Sequence, residues 1–97
     1  MELTLRAEDT RFDLTEVRFV LNTALSRESS LAHARRDAYQ RVCQEFERRF
    51  DIDSDKFLVD FEAGRLGDDA VYFDWYAAKR GFDQWDRRAS ILAEVAL

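Results

Sequence analysis

Leu66 to Leu97 reads LGDDAVYFDWYAAKRGFDQWDRRASILAEVAL, and the spacing of its apolar residues decides the fold. Val71, Trp75, Ala78, Phe82, Trp85, Ala89, Leu92 and Ala96 recur at alternating steps of four and three. A repeat of about 3.5 residues is the signature of a helical seam that lies along another helix. Asp68 or Asp69 supplies the short acidic side chain that accepts the first unpaired backbone N–H groups of a helix. The spacing therefore predicts a helix over 68–96. Both tryptophans of the chain sit on its seam. Burying a large aromatic side chain stabilises a fold by roughly 2–3 kcal/mol, so this seam is expected to carry much of the stability.

A seam needs a second helix, and residues 30–50 have the right pattern. Ala32, Tyr39, Val42, Phe46 and Phe50 form a stripe with Leu31, Ala38 and Cys43 beside it. Arg35, Arg36, Arg41, Arg48 and Arg49 flank the stripe. Asp37 with Arg41 and Glu45 with Arg49 stand four apart in the favourable order. Between the two helices, Asp53 or Ser54 can cap a short helix over 54–63 that points Phe57, Leu58 and Phe61 inward. Gly64 stands where a helix end favours a residue able to take positive φ. Leu66, alone between Gly64 and Gly67, is expected to plug the gap beneath the turn. Gly81 interrupts the last helix at a cost of about 1 kcal/mol relative to Ala, which a close helix crossing or a kink would explain.

Upstream, Asp13 or Thr15 can cap a helix over 13–27 with Val17, Val20, Leu21, Ala24 and Leu25 on one face. The polar run Ser26-Arg27-Glu28-Ser29-Ser30 suggests a break before the next helix, although no Gly or Pro enforces one. Residues 1–12 read either as a leader or as a short strand, because Leu3 and Leu5 alternate with Glu2, Thr4 and Arg6. The expected architecture is a single all-α domain: an antiparallel helical hairpin, a short bridging helix, and an additional N-terminal helix. The far end of the last helix, from Trp85 onward, overreaches helix 30–50 and needs the first helix or a second molecule to cover it.

Composition narrows the function classes. The 97 residues are 46% hydrophobic and 36% charged, with no Pro, three Gly and a net charge of −5. A chain of this length buries about 60–65% of its unfolded surface, enough for one modest core. The negative charge argues against nucleic acid as a partner, because phosphate affinity rests on Lys and Arg. Charge is also uneven: residues 51–74 carry eight acids against Lys56 and Arg65, whereas residues 27–50 carry six Arg against four acids. An acidic half of this kind would steer a basic partner. No apolar run approaches the roughly 18 residues of a membrane span. The first residues lack the basic and apolar regions of a secretory signal, and Cys43 is the only cysteine. Both features lead to the expectation of a cytoplasmic protein.

Catalytic and cofactor motifs are weak. Asp51, Asp53, Asp55, Phe57, Leu58 and Glu62 fall on the spacing of a calcium-binding EF-hand loop, but Lys56 stands where that loop needs Gly. His33 and Cys43 are too few for zinc and lie about 15 Å apart along one helix. Asp74, Asp83 and Asp86 share their helix with Lys79, Arg80, Arg87 and Arg88, which favours solvated ion pairs over a carboxylate site. No phosphate-cradling glycine loop is present, so no cofactor and no enzymatic activity are expected.

One run is more specific. Phe50-Asp51-Ile52-Asp53-Ser54, then Phe57, then Phe61-Glu62-Ala63-Gly64-Arg65-Leu66-Gly67-Asp68-Asp69 and Phe73-Asp74-Trp75, resembles small helical antitoxin-type proteins encoded beside toxin genes in prokaryotic toxin–antitoxin pairs. The matching run covers about a third of the chain. Ile52 replaces the glycine usual in that turn, and the first 30 residues have no counterpart in the group. The resemblance implies a non-catalytic protein that binds and restrains a cognate toxin. Asp68, Asp69, Tyr72, Phe73, Asp74, Trp75 and Tyr76 are the expected contact zone, although several of them are also needed for the core. Self-association into a homo-oligomer with a structural or adaptor role is the alternative, followed by a calcium-responsive helical protein. Reversing the charge at Asp68 and Asp69 is expected to weaken partner binding without lowering thermal stability.

Overall fold

The computed structural model describes residues 1–6 and 11–97. Three helices make up the fold among these residues: α1 (Leu14–Phe50), α2 (Ser54–Glu62) and α3 (Ala70–Ala93). Helices α1 and α3 form the antiparallel hairpin, and α2 crosses its closed end.

The break expected in the polar run 26–30 is absent, and helices 13–27 and 30–50 are one 37-residue helix. Asp13 caps it, accepting the Thr15 N–H at 2.9 Å. Ser29 and Ser30 are then interior positions, and the Ser29 carbonyl oxygen lies 2.7 Å from His33 Nδ1. Polar residues lower helix propensity only slightly, and no Gly or Pro stands in this run to end the helix. The helix ends at Asp51, which takes the left-handed conformation (φ 56°) and donates its N–H to the Glu47 carbonyl.

The N-terminal strand does not form among the described residues. Glu2 makes one isolated parallel bridge with Ala96, through Leu3 N–H to Ala96 O (2.8 Å) and Ala96 N–H to Met1 O (3.0 Å). Two hydrogen bonds cannot sustain a strand without further neighbours. Residues 7–10 of the expected leader lie outside the described residues.

Asp53 caps α2 by accepting the Lys56 N–H at 2.8 Å, and Gly64 (φ 71°) turns the chain after it. Asp69 caps α3, so α3 begins at Ala70 rather than at 68. It ends three residues before 96, where Glu94 and Val95 donate to the Ile91 and Leu92 carbonyls and the chain straightens toward Glu2.

The core runs along the hairpin. Cys43, Phe57, Trp75 and Ala78 are buried, with Tyr39, Phe46, Phe50, Ile52, Phe61, Leu66, Tyr72, Tyr76 and Phe82 packed around them. Trp75 is completely enclosed: Phe57 stacks on it at 3.9 Å between ring centres, and Phe46 and Phe50 both lie at 5.5 Å. The α3 seam is as read from the sequence as far as Leu92. On α1 the contacting stripe is Ala32, Arg36, Tyr39, Cys43, Phe46 and Phe50, again at steps of four and three. Val42 falls off it and is exposed, because the 3.5-residue repeat selects Cys43 instead.

Register follows from contacts. Phe46 meets Trp75, Tyr39 meets Gly81, and Arg36 reaches Asp86 at 3.8 Å. The last turn of α3 therefore lies opposite Glu28, which borders the same surface groove as Ile91 and Leu92. The stretch of α1 before Glu28 extends beyond α3 by about 20 Å. The molecule is accordingly elongated, 60 × 22 × 20 Å. The expected overreach of the last helix beyond residues 30–50 from Trp85 onward does not occur there: Arg35 lies over the Trp85 ring and Arg36 reaches Asp86, so that stretch of α1 itself covers Trp85.

Candidate partner-binding surface

The corner where α2 meets the start of α3 gathers most of the residues picked out from the sequence. Asp68 is exposed in the connection. Asp69 is exposed too, but its carboxylate is engaged as the α3 cap, accepting the Val71 N–H at 3.2 Å. Phe73 is 53% exposed and packs edge-on against Phe61 at 5.3 Å. Tyr72 and Tyr76 are half-buried: Tyr72 lies against Phe50 and Phe57, and Tyr76 stacks on Phe61 at 4.9 Å.

Two of the seven stand apart. Trp75 has no exposed surface, so its contribution is to hold the corner together. Its indole N–H donates to Ser54 Oγ at 2.9 Å, and the Ser54 backbone N–H donates to Glu47 Oε2 at 2.8 Å. This chain ties all three helices with polar bonds inside an apolar setting. Asp74 is exposed but points about 160° around α3 from Tyr76, by the turn per residue of an α-helix. It belongs to the flank away from α2.

Acidity at the corner is partly internal. Lys56 and Arg65 both reach Asp60 at 3.0 Å, and their hydrogen bonds hold its carboxyl below the usual carboxylate range. Glu62 and Asp68 are exposed and enter no ion pair among the described residues. The surface offered there is one half-exposed aromatic ring bordered by carboxylates.

A second arrangement escaped the sequence reading. Lys79 is 7% exposed, and its ammonium bridges Asp55 (2.8 Å) on α2 and Asp83 (2.7 Å) on α3. Burial works against its charge, but the two carboxylates outweigh that and hold its pKa above the usual lysine value. A crevice of about 140 Å³ beside it is lined by Gln40, Cys43, Gln44, Glu47, Ser54 and Phe82. Burial pushes the Cys43 thiol up, so it stays protonated at neutral pH and is a poor nucleophile. The i,i+4 spacing of Lys79 and Asp83 was the only local signal; the Asp55 contact is tertiary. Asp86 likewise pairs with Arg36 on α1, and the three carboxylates Asp74, Asp83 and Asp86 do not converge.

The calcium-loop spacing falls on a helix. Asp53 is the cap of α2, Asp55 and Glu62 lie within α2, and Phe57 is fully buried. Carboxylates wound onto a helix do not encircle an ion as a 12-residue loop does. Among the described residues, no group of three or more His, Cys, Asp or Glu is placed to hold a metal ion. No helix among them is long and apolar enough to cross a membrane.

Comparison of the chain with protein-family models, with curated proteins and with solved structures finds no match.

Proposed function

We propose that the protein is a non-catalytic, cytoplasmic binding partner that restrains a cognate toxin, in the manner of an antitoxin. The observation that carries this reading is Phe73: an aromatic ring 53% exposed at the α2–α3 corner, which also carries the exposed acids Asp68 and Glu62, neither in an ion pair among the described residues. Aromatic side chains are favoured at the centres of protein interfaces, and surrounding carboxylates select a basic counterpart and speed its approach. The antitoxin-like run spans this corner, which adds to the reading. The protonated thiol of Cys43 and the carboxylates spread along α3 offer no nucleophile or paired acid and base, which favours a binding role over catalysis.

The geometry changes which substitutions test the idea. Asp69→Lys removes a helix cap, which costs about 0.5–2 kcal/mol, so it mixes binding with stability. Asp68→Lys and Phe73→Ala act on exposed atoms. With the product of an adjoining toxic reading frame as the partner, each is expected to weaken binding by at least ~10-fold in a calorimetric titration, equivalent to about 1.4 kcal/mol. Asp69→Ser, which keeps the cap, reports the charge effect alone. Unchanged affinity in Asp68→Lys and Phe73→Ala would move the contact surface elsewhere, and an adjoining frame without toxicity would remove the antitoxin reading.

A further inference from the structure

Helix α1 carries a second apolar stripe that neither α2 nor α3 covers. Val20 (64% exposed), Leu31 (40%) and Val42 (44%) lie on it, with Ala24 and Ala38, also exposed, between them. The stripe is about 33 Å long. It runs beside Arg35, whose guanidinium lies 5.4 Å over the Trp85 ring. The crevice lined by Gln40, Gln44 and Glu47 opens toward α2 on the opposite flank of α1.

The order of residues along this stripe is the same read in either direction from Leu31. Val20 and Val42 stand eleven residues to either side, and Ala24 and Ala38 seven. A two-fold pairing of antiparallel helices brings such mirrored positions together, because wherever one residue touches another the reverse contact also occurs. We propose that α1 pairs antiparallel with α1 of a second copy of this chain, about a two-fold axis at Leu31. Val20 then packs on the partner's Val42, Ala24 on the partner's Ala38, and the two Leu31 side chains meet at the axis. The alanines let the helix backbones approach closely.

Charge selects the same arrangement. Glu28 and Arg35 are exposed on one shoulder of the stripe, three residues before Leu31 and four after it. Antiparallel pairing sets Glu28 of each copy opposite the partner's Arg35, twice per dimer. This surface is separate from the acidic corner, so the dimer leaves that corner open.

The test is sedimentation of the full chain over a range of concentrations, joined to cross-linking. A concentration-dependent dimer is expected, and Leu31→Glu should weaken it at least ~10-fold with an unchanged far-ultraviolet spectrum, since Leu31 is not in the core. Arg35→Glu should weaken it and Glu28→Arg in the same chain should restore it. Under mild oxidation, Leu31→Cys should cross-link to itself. Val20→Cys should link to Val42→Cys in a mixture but not to itself; the native Cys43 is buried. A monomer at every concentration, a dimer indifferent to Leu31→Glu, or Val20→Cys linking readily to itself would each overturn the proposal.

Discussion

Trp75 and Phe73 are two residues apart on α3 and opposite in role. Trp75 is enclosed by Phe46, Phe50 and Phe57 and donates its N–H to Ser54; Phe73 shows half its surface and touches one ring edge-on. Removing the indole nitrogen takes the Trp75 donor away from Ser54 Oγ and opens a gap where the second ring stood. Trp75→Phe is therefore expected to cost about 2–4 kcal/mol. Phe73→Ala loses a single aromatic contact, about 0.5–1.5 kcal/mol. Urea unfolding followed by circular dichroism measures both, and equal losses would contradict the roles assigned here. Period alone cannot separate the two: a 3.5-residue seam marks Trp75 as inward, but how much of Phe73 α2 covers depends on where α2 lands.

Gly81 shows the same limit between elements. A Cβ built on it would stand 2.7 Å from Tyr39 ring atoms, so α1 and α3 approach at this point through the missing side chain. The sequence raised a close crossing and a kink as alternatives; α3 is helical through Gly81, and the close crossing accounts for it. Ala would add about 1 kcal/mol of helix propensity, while overpacking of this kind costs typically 1–3 kcal/mol. Because Tyr39 is half-buried and its ring fills the crossing, Gly81→Ala is expected to destabilise, and Gly81→Ala with Tyr39→Leu to recover part of the loss. A thermal melt of the double variant no better than that of Gly81→Ala would show that the Tyr39 ring is not the obstacle.

Across the whole molecule, stability is expected to follow the overlap of the two long helices. Residues 32–50 of α1 lie along α3 and the aromatic core, while 14–27 extend past its end. Helical hydrogen bonds with few buried contacts open locally far more often than those over a core. Amide hydrogen exchange in dilute solution should be fast over 16–27 and slow over 36–46. Uniform protection along α1 would mean that the overhang is covered.

The α3 seam, the α2 caps at Asp53 and Gly64, and the antiparallel hairpin were all legible in the residues. Each rests on short-range rules: a 3.5-residue apolar repeat, a short acid before a helix, a glycine after one. The continuity of α1 was not, because Ser29 and Ser30 can equally cap a new helix or sit inside one, and in the structure they are interior positions. Nor was the buried ammonium of Lys79, whose second carboxylate, Asp55, comes from another helix. Nor was the division of the acidic aromatic run into an enclosed Trp75, a cap at Asp69, an outward Asp74 and an exposed Phe73. Local pattern sets which face of a helix is apolar. How much of that face meets water depends on the lengths and positions of its neighbours, and those arise only when the whole chain closes on itself.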